Sequence, residues 1–91
     1  LIVVVASLDL GSKMLLAPPD IVSRGFVYVR EAEDLIEEIR EIAIQSICKC
    51  LDRSRRPDRI EIKNCIKDDL AKYLYSRTKR KPMIIPVLTD I

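Results

Sequence analysis

The chain has no histidine, no tryptophan, two glycines and only four aromatic residues in 91. Each shortage closes a class of function. Without histidine there is no ordinary general base near neutral pH, and the usual metal ligand and the Ser-His and Cys-His nucleophile pairs are missing. Gly11 and Gly25 alone cannot build a glycine-rich phosphate loop. Phe26, Tyr28, Tyr73 and Tyr75 are too few for a broad stacking platform for single strands. The longest apolar run, Leu1 to Ala6, is far too short to cross a bilayer. It also lacks the basic start and cleavage site of a signal peptide, so no membrane partner is expected. Cys48, Cys50 and Cys65 are an odd number without a disulfide-dense pattern, which points to the reducing cytoplasm. On a helix, Cys48 and Cys50 diverge by about 200°. With no second cysteine pair and no histidine they do not complete a zinc set, so free thiols, buried or half-buried, are expected.

What is present is enough for one core. Apolar residues make up 48% and charged residues 33%, which argues against disorder and for a single domain over residues 1–91. Because the sequence opens inside a strand-like run, the chain reads as a piece of a longer protein.

The apolar run at the start is β-branched and bounded, as in a well-covered strand. Asp9-Leu10-Gly11-Ser12-Lys13 supplies a turn, with Gly11 able to take positive φ, and Met14 to Ala17 reads as the returning strand. Pro18-Pro19 stops regular pairing, and residues 21–30 read as irregular or briefly extended. A helix follows over about 32–51, with Leu35, Ile39, Ile42, Ala43, Ile47 and Cys50 on one stripe. Asp58 with Glu61 resembles a capping box that opens a second helix. Its stripe is Ile62, Ile66, Leu70, Tyr73 and Leu74, and it ends before Pro82. The last segment, Met83 to Leu88, is strand-like, and Pro86 marks it as an edge. The expected fold class is α+β, in the order β-β-α-α-β. A three-stranded sheet has its first strand at the centre and both helices packed on one face.

Two helices cover one face of such a sheet, yet the first and last strands are apolar at nearly every position. One alternating set is therefore left for a partner, with Ile2, Val4, Ile84 and Val87 as candidate interface residues. The competing reading covers that face with the loop over 18–30.

The small net charge of +2 hides a segregation. Residues 1–48 carry a net −4, residues 49–81 a net +7 and residues 82–91 a net −1. The basic residues gather as Arg53, Arg55, Arg56 and Arg59 before the second helix and as Arg77, Lys79, Arg80 and Lys81 after it. They are candidate contacts to nucleic-acid phosphates, with helix-dipole compensation and a solvated loop as the competing account. Ser23-Arg24-Gly25 is a weak candidate for an anion nest or a simple turn. Asp20, Glu37, Glu38, Asp68 and Asp69 lack a matching acid, base or metal partner and read as surface charge. No catalytic residue, metal ligand or cofactor site emerges.

Two motifs carry a family resemblance. The segment Asp20-Ile21-Val22-Ser23-Arg24-Gly25-Phe26-Val27-Tyr28-Val29-Arg30-Glu31, preceded by Leu15-Leu16-Ala17, resembles the C-terminal domain of ribonuclease J, a ribonuclease of the metallo-β-lactamase/β-CASP class. The closing segment Thr78-Lys79-Arg80-Lys81-Pro82-Met83-Ile84-Ile85-Pro86-Val87 is similar to the same family's final helix end and strand. Pro18 departs from the glycine usual in that family. The resemblance spans nearly the whole chain. It implies a parent enzyme with endonuclease and 5′-to-3′ exonuclease activities on RNA, whose two zinc ions sit on histidine- and aspartate-rich motifs outside this chain. It also implies an accessory role in subunit assembly, with the parent's catalytic domain and other subunits as partners and RNA met through the parent.

Overall fold

A computed structural model describes residues 1–24 and 29–91. The elements are β1 (Ile2–Asp9), β2 (Met14–Leu15), β3 (Asp20–Ser23), α1 (Val29–Arg53), α2 (Arg59–Thr78) and β4 (Ile84–Asp90). The α+β class holds, and β1 is the central strand. It runs antiparallel to β2 and β3 and parallel to β4, so the sheet is mixed.

The expected three strands are four. Ile2 to Val5 pair with both β3 and β4, and Leu8 pairs with both β2 and β4. A strand has two edges, so β2 and β3 lie end to end along the one opposite β4. The register explains the break: Leu8 faces Leu15, but Val5 faces Asp20, so two extra residues sit on the outer track. Pro18-Pro19 occupies that insertion, as expected of residues that cannot donate to a ladder. Pro19 is fully buried, and its carbonyl accepts from Arg40 Nε of α1 at 3.0 Å, which pins the bulge to the helix layer.

Two local expectations need correction and a third, the briefly extended segment after Pro19, is sharpened. The left-handed residue of the first turn is Lys13, at φ 57°, and not Gly11, while Asp9 Oδ1 accepts from the Ser12 N–H. Residues 20–23 are a paired strand, because the alternation of Asp20-Ile21-Val22-Ser23 matches that of β1. Helix α1 begins at Val29, ahead of the expected 32. Ser23 ends β3, and the Arg24 N–H donates to the Leu1 carbonyl at 3.0 Å. Gly25, Phe26 and Tyr28 fall outside the described residues, and with them the rest of the expected Ser23-Arg24-Gly25 turn and any covering role of residues 25–28.

Both helices pack on one sheet face, α1 over β2 and β3 and α2 over β4. Ile2, Val4, Ala6 and Leu8 of β1 point into that layer with Ile84 and Leu88 of β4. They meet Leu35, Ile39, Ala43, Ile47, Cys50 and Leu51 of α1 and Ile62, Ile66, Leu70 and Leu74 of α2. Asp58 caps α2 by accepting from the Glu61 N–H at 2.7 Å. At the other end Lys79 takes the left-handed conformation, φ 57°, and its N–H donates to the Tyr75 carbonyl.

Two polar clusters tie the helices together, and both correct the surface-charge reading of Asp69 and Glu38. The Ser46 hydroxyl, itself buried, donates to Asp69 Oδ2 at 2.5 Å, and Lys49 Nζ lies 3.0 Å from the same oxygen. Tyr73 Oη donates to Glu38 Oε2, which also pairs with Arg77 at 3.1 Å. The Ser46 hydrogen bond, helped by Lys49, holds the Asp69 carboxyl below the usual carboxylate range. A depressed folded value stabilises above the unfolded value of about 3.9 and is lost as pH falls through the folded one. Asp69→Ala strands the Ser46 hydroxyl in the helix interface and should cost about 1–3 kcal/mol in urea titrations at pH 7. Asp69→Asn should flatten the acid limb of the stability–pH curve, and an unchanged limb would remove this carboxylate from the account.

Candidate functional site

The outer sheet face is set by the same alternation that builds the core. Pairing aligns Val22, Val3 and Ile85 in one row, Asp20, Val5 and Val87 in the next, then Ser7 with Thr89. Val22, Ile85 and Val87 are each at least 40% exposed, and Leu1 and Met83 stand exposed at the same end. Of the expected interface residues, Val87 lies on this face. Ile2, Val4 and Ile84 do not: they are buried beneath the helices. The sequence alternates correctly, but nothing in it says which of two apolar sets the helices cover.

The β4 edge is guarded. Met83 C=O accepts from the Ile2 N–H, and the Ile91 N–H donates to Leu8 C=O, each at 2.8 Å. Odd-numbered residues of β4 therefore face β1. Pro86 carries its missing N–H on the outer edge, where no ladder bond is lost and an incoming strand finds a gap. Among the described residues nothing pairs there. The surface is thus suited to packing by its face rather than by strand addition.

The basic residues separate into engaged and unengaged groups. Arg53 Nη2 lies 3.4 Å from Cys65 Sγ, and Arg77 is paired with Glu38. Arg55, Arg56 and Arg59 are exposed around the inter-helix loop. At the far end of α2, Lys79 Nζ and Lys81 Nζ stand 5.3 and 5.5 Å from the centroid of the exposed Tyr75 ring, with Arg80 exposed between them in sequence. The gathering of Lys79 and Lys81 on Tyr75 was not legible beforehand. The spacing i, i+4 was there to read, but the left-handed cap at Lys79 that turns Lys81 back was not.

The cysteines are free thiols, and Cys50 and Cys65 are buried and half-buried as expected. Cys48, however, is exposed, because it lies two positions from Cys50 and so falls off the buried stripe of α1. Burial, with Cys65 beside it, pushes the Cys50 thiol up to about 11. Among the described residues no three His, Cys, Asp or Glu side chains come together in a metal-binding group, so the residues present do not fit a catalytic zinc pair. An open groove of about 290 Å³ between the helices is lined by Ile42, Gln45, Ser46, Lys49, Asp69 and Lys72, and its carboxylate is already engaged by Ser46 and Lys49. No described helix is long and apolar enough to cross a membrane.

The family model of the ribonuclease J C-terminal domain matches residues 1–91. Ribonuclease J 2 of Staphylococcus aureus (strain NCTC 8325 / PS 47) is 43% identical over 89 residues, covering 98% of this chain and 16% of the relative. Ribonuclease J2 of Bacillus subtilis (strain 168) is 40% identical over 91 residues, covering 100% of this chain and again 16% of the relative. The chain thus spans about one-sixth of the length of these relatives. With a family match over its whole length and relatives at this identity, the chain belongs to the ribonuclease J C-terminal domain family.

Proposed function

We propose that this domain is the non-catalytic accessory and assembly module of a cytoplasmic ribonuclease J, joining the enzyme's catalytic body to other subunits through its outer sheet face. The observation that carries the reading is the exposed apolar set Val22, Ile85 and Val87, with half-buried Val3 and Val5 between them, on the sheet face opposite both described helices. Patches of this kind mark an interface. The parent's RNA hydrolysis, endonucleolytic and 5′-to-3′ exonucleolytic, then resides on another domain, together with its zinc ions. The missing histidine and the lack of a clustered ligand set among the described residues support that division of labour.

Sedimentation equilibrium on the 91-residue chain tests the assembly role. Self-association in the micromolar range is expected, and Ile85→Lys with Val87→Asp should make the chain monomeric. Both side chains are exposed, so the melting temperature should stay within a few degrees. A wild-type chain that is monomeric at high concentration and binds no apolar dye would defeat the proposal.

A further inference from the structure

We infer that the turn after α2 is a docking point for single-stranded RNA, with Tyr75 stacking one base and Lys79, Arg80 and Lys81 holding the flanking phosphates. The inference rests on the parent acting on RNA but not on the assembly role. Its basis is the way the cations are held. Two ammonium groups converge on one exposed aromatic ring, and among the described residues neither has a carboxylate within ion-pair distance. Like charges gather at a cost, and a helix C-terminus is complemented by a single nearby cation without collecting two on a ring. The backbone here is also fixed. The Lys79 N–H donates to Tyr75 C=O at 2.9 Å, the Thr78 hydroxyl to Leu74 C=O at 2.7 Å, and the Arg80 N–H to Thr78 Oγ1 at 3.2 Å. Two lysine heads are thereby held over an aromatic face with the exposed Arg80 between them in sequence, which is what a nucleotide needs: a π surface for the base and cations for the phosphates either side of it.

The lysine heads ride on four-carbon stems, so a base can take their place on the ring while they swing to the phosphates. Arg77 is not part of the site, because Glu38 holds it. Arg55 and Arg56 lie at the other end of a helix of 20 residues, about 30 Å away, and have no exposed aromatic partner among the described residues.

Fluorescence anisotropy with a labelled oligouridylate, titrated at several salt concentrations against the 91-residue chain, decides the matter. Tyr75→Ala should weaken binding about tenfold or more, and Tyr75→Phe should bind like wild type. Lys79→Asn with Lys81→Gln should flatten the log–log salt slope by roughly 1.4, at about 0.7 per phosphate contact on a single strand. Asparagine is chosen at 79 because it tolerates the left-handed conformation. Arg55→Gln with Arg56→Gln should change little. Absence of saturable binding, a Tyr75→Ala chain that binds like wild type, or equal competition by polyglutamate would each overturn the inference. Sedimentation of the same samples reads the assembly role separately, so failure here leaves that reading standing and the reverse also holds.

Discussion

Val4→Asp is expected to abolish folding of this chain, while Val87→Asp leaves it folded. Both positions are valines in the sheet, and both belong to the set that sequence patterning marks as candidate interface. Val4 is fully buried at the middle of the central strand, flanked in register by Ile21 of β3 and Pro86 of β4 and roofed by the helices. A carboxylate there has no route to water, because a short side chain in the middle of a sheet cannot reach past its neighbours. The penalty after relaxation is several kcal/mol. A domain of this size has a total stability of roughly 5–14 kcal/mol, so one such charge removes most or all of it. Val87 projects from the other face of β4 and is 43% exposed, so its carboxylate stays hydrated. Far-ultraviolet circular dichroism with thermal melts compares the two directly. A cooperative melt for Val4→Asp within about 2 kcal/mol of wild type would mean that the core is not where the sheet register puts it.

That contrast shows what was legible and what was not. The helical stripes were read almost residue by residue: Leu35, Ile39, Ala43, Ile47, Cys50, Ile62, Ile66, Leu70 and Leu74 are all buried, with Ile42 and Tyr73 at the margin. A period of 3.6 over 20 or more residues is a redundant signal, and one apolar stripe leaves one solution. A strand that is apolar at nearly every position is different, since its two faces are close to equivalent in composition and only the helices choose between them. Of the candidate interface residues, Ile2, Val4 and Ile84 are buried under the helices for that reason, and Val87 lies on the exposed face. The Pro18-Pro19 break was correctly placed, but its result, an insertion of two residues that keeps β3 in the sheet, depends on tertiary pairing with β1. Partners across the helix interface were likewise hidden. Asp69 and Glu38 sit beside buried stripe positions, and only the packing of α1 on α2 brings Ser46 and Tyr73 to them. Absence of histidine, by contrast, needed no structure to read.

Ile66→Ala should be among the most destabilising truncations on α2, and Ile60→Ala should be nearly silent. Both remove the same atoms from the same helix, so propensity barely distinguishes them, and alanine is the better helix former at either site. Ile66 has no exposed surface and belongs to the cluster that also contains Ile47, Leu70 and the inward residues of β1. Its truncation loses the transfer energy of the removed carbons and leaves a cavity that neighbours from three elements must collapse to fill, about 2–5 kcal/mol. For a domain under 100 residues each kcal/mol is worth about 4–8 °C, so the melting temperature should fall by at least about 8 °C. Ile60 lies in the first turn of α2 and is 72% exposed, off the stripe on which the sequence and the structure agree. Its change should stay within about 0.5 kcal/mol, with the sign set by helix propensity. Urea titrations should show both variants with the wild-type slope and only Ile66→Ala with a shifted midpoint. If Ile60→Ala were the costly one, the first turn of α2 would have to be buried by a surface outside this domain's own core, and the assembly face would have to be sought on the helices instead of the sheet.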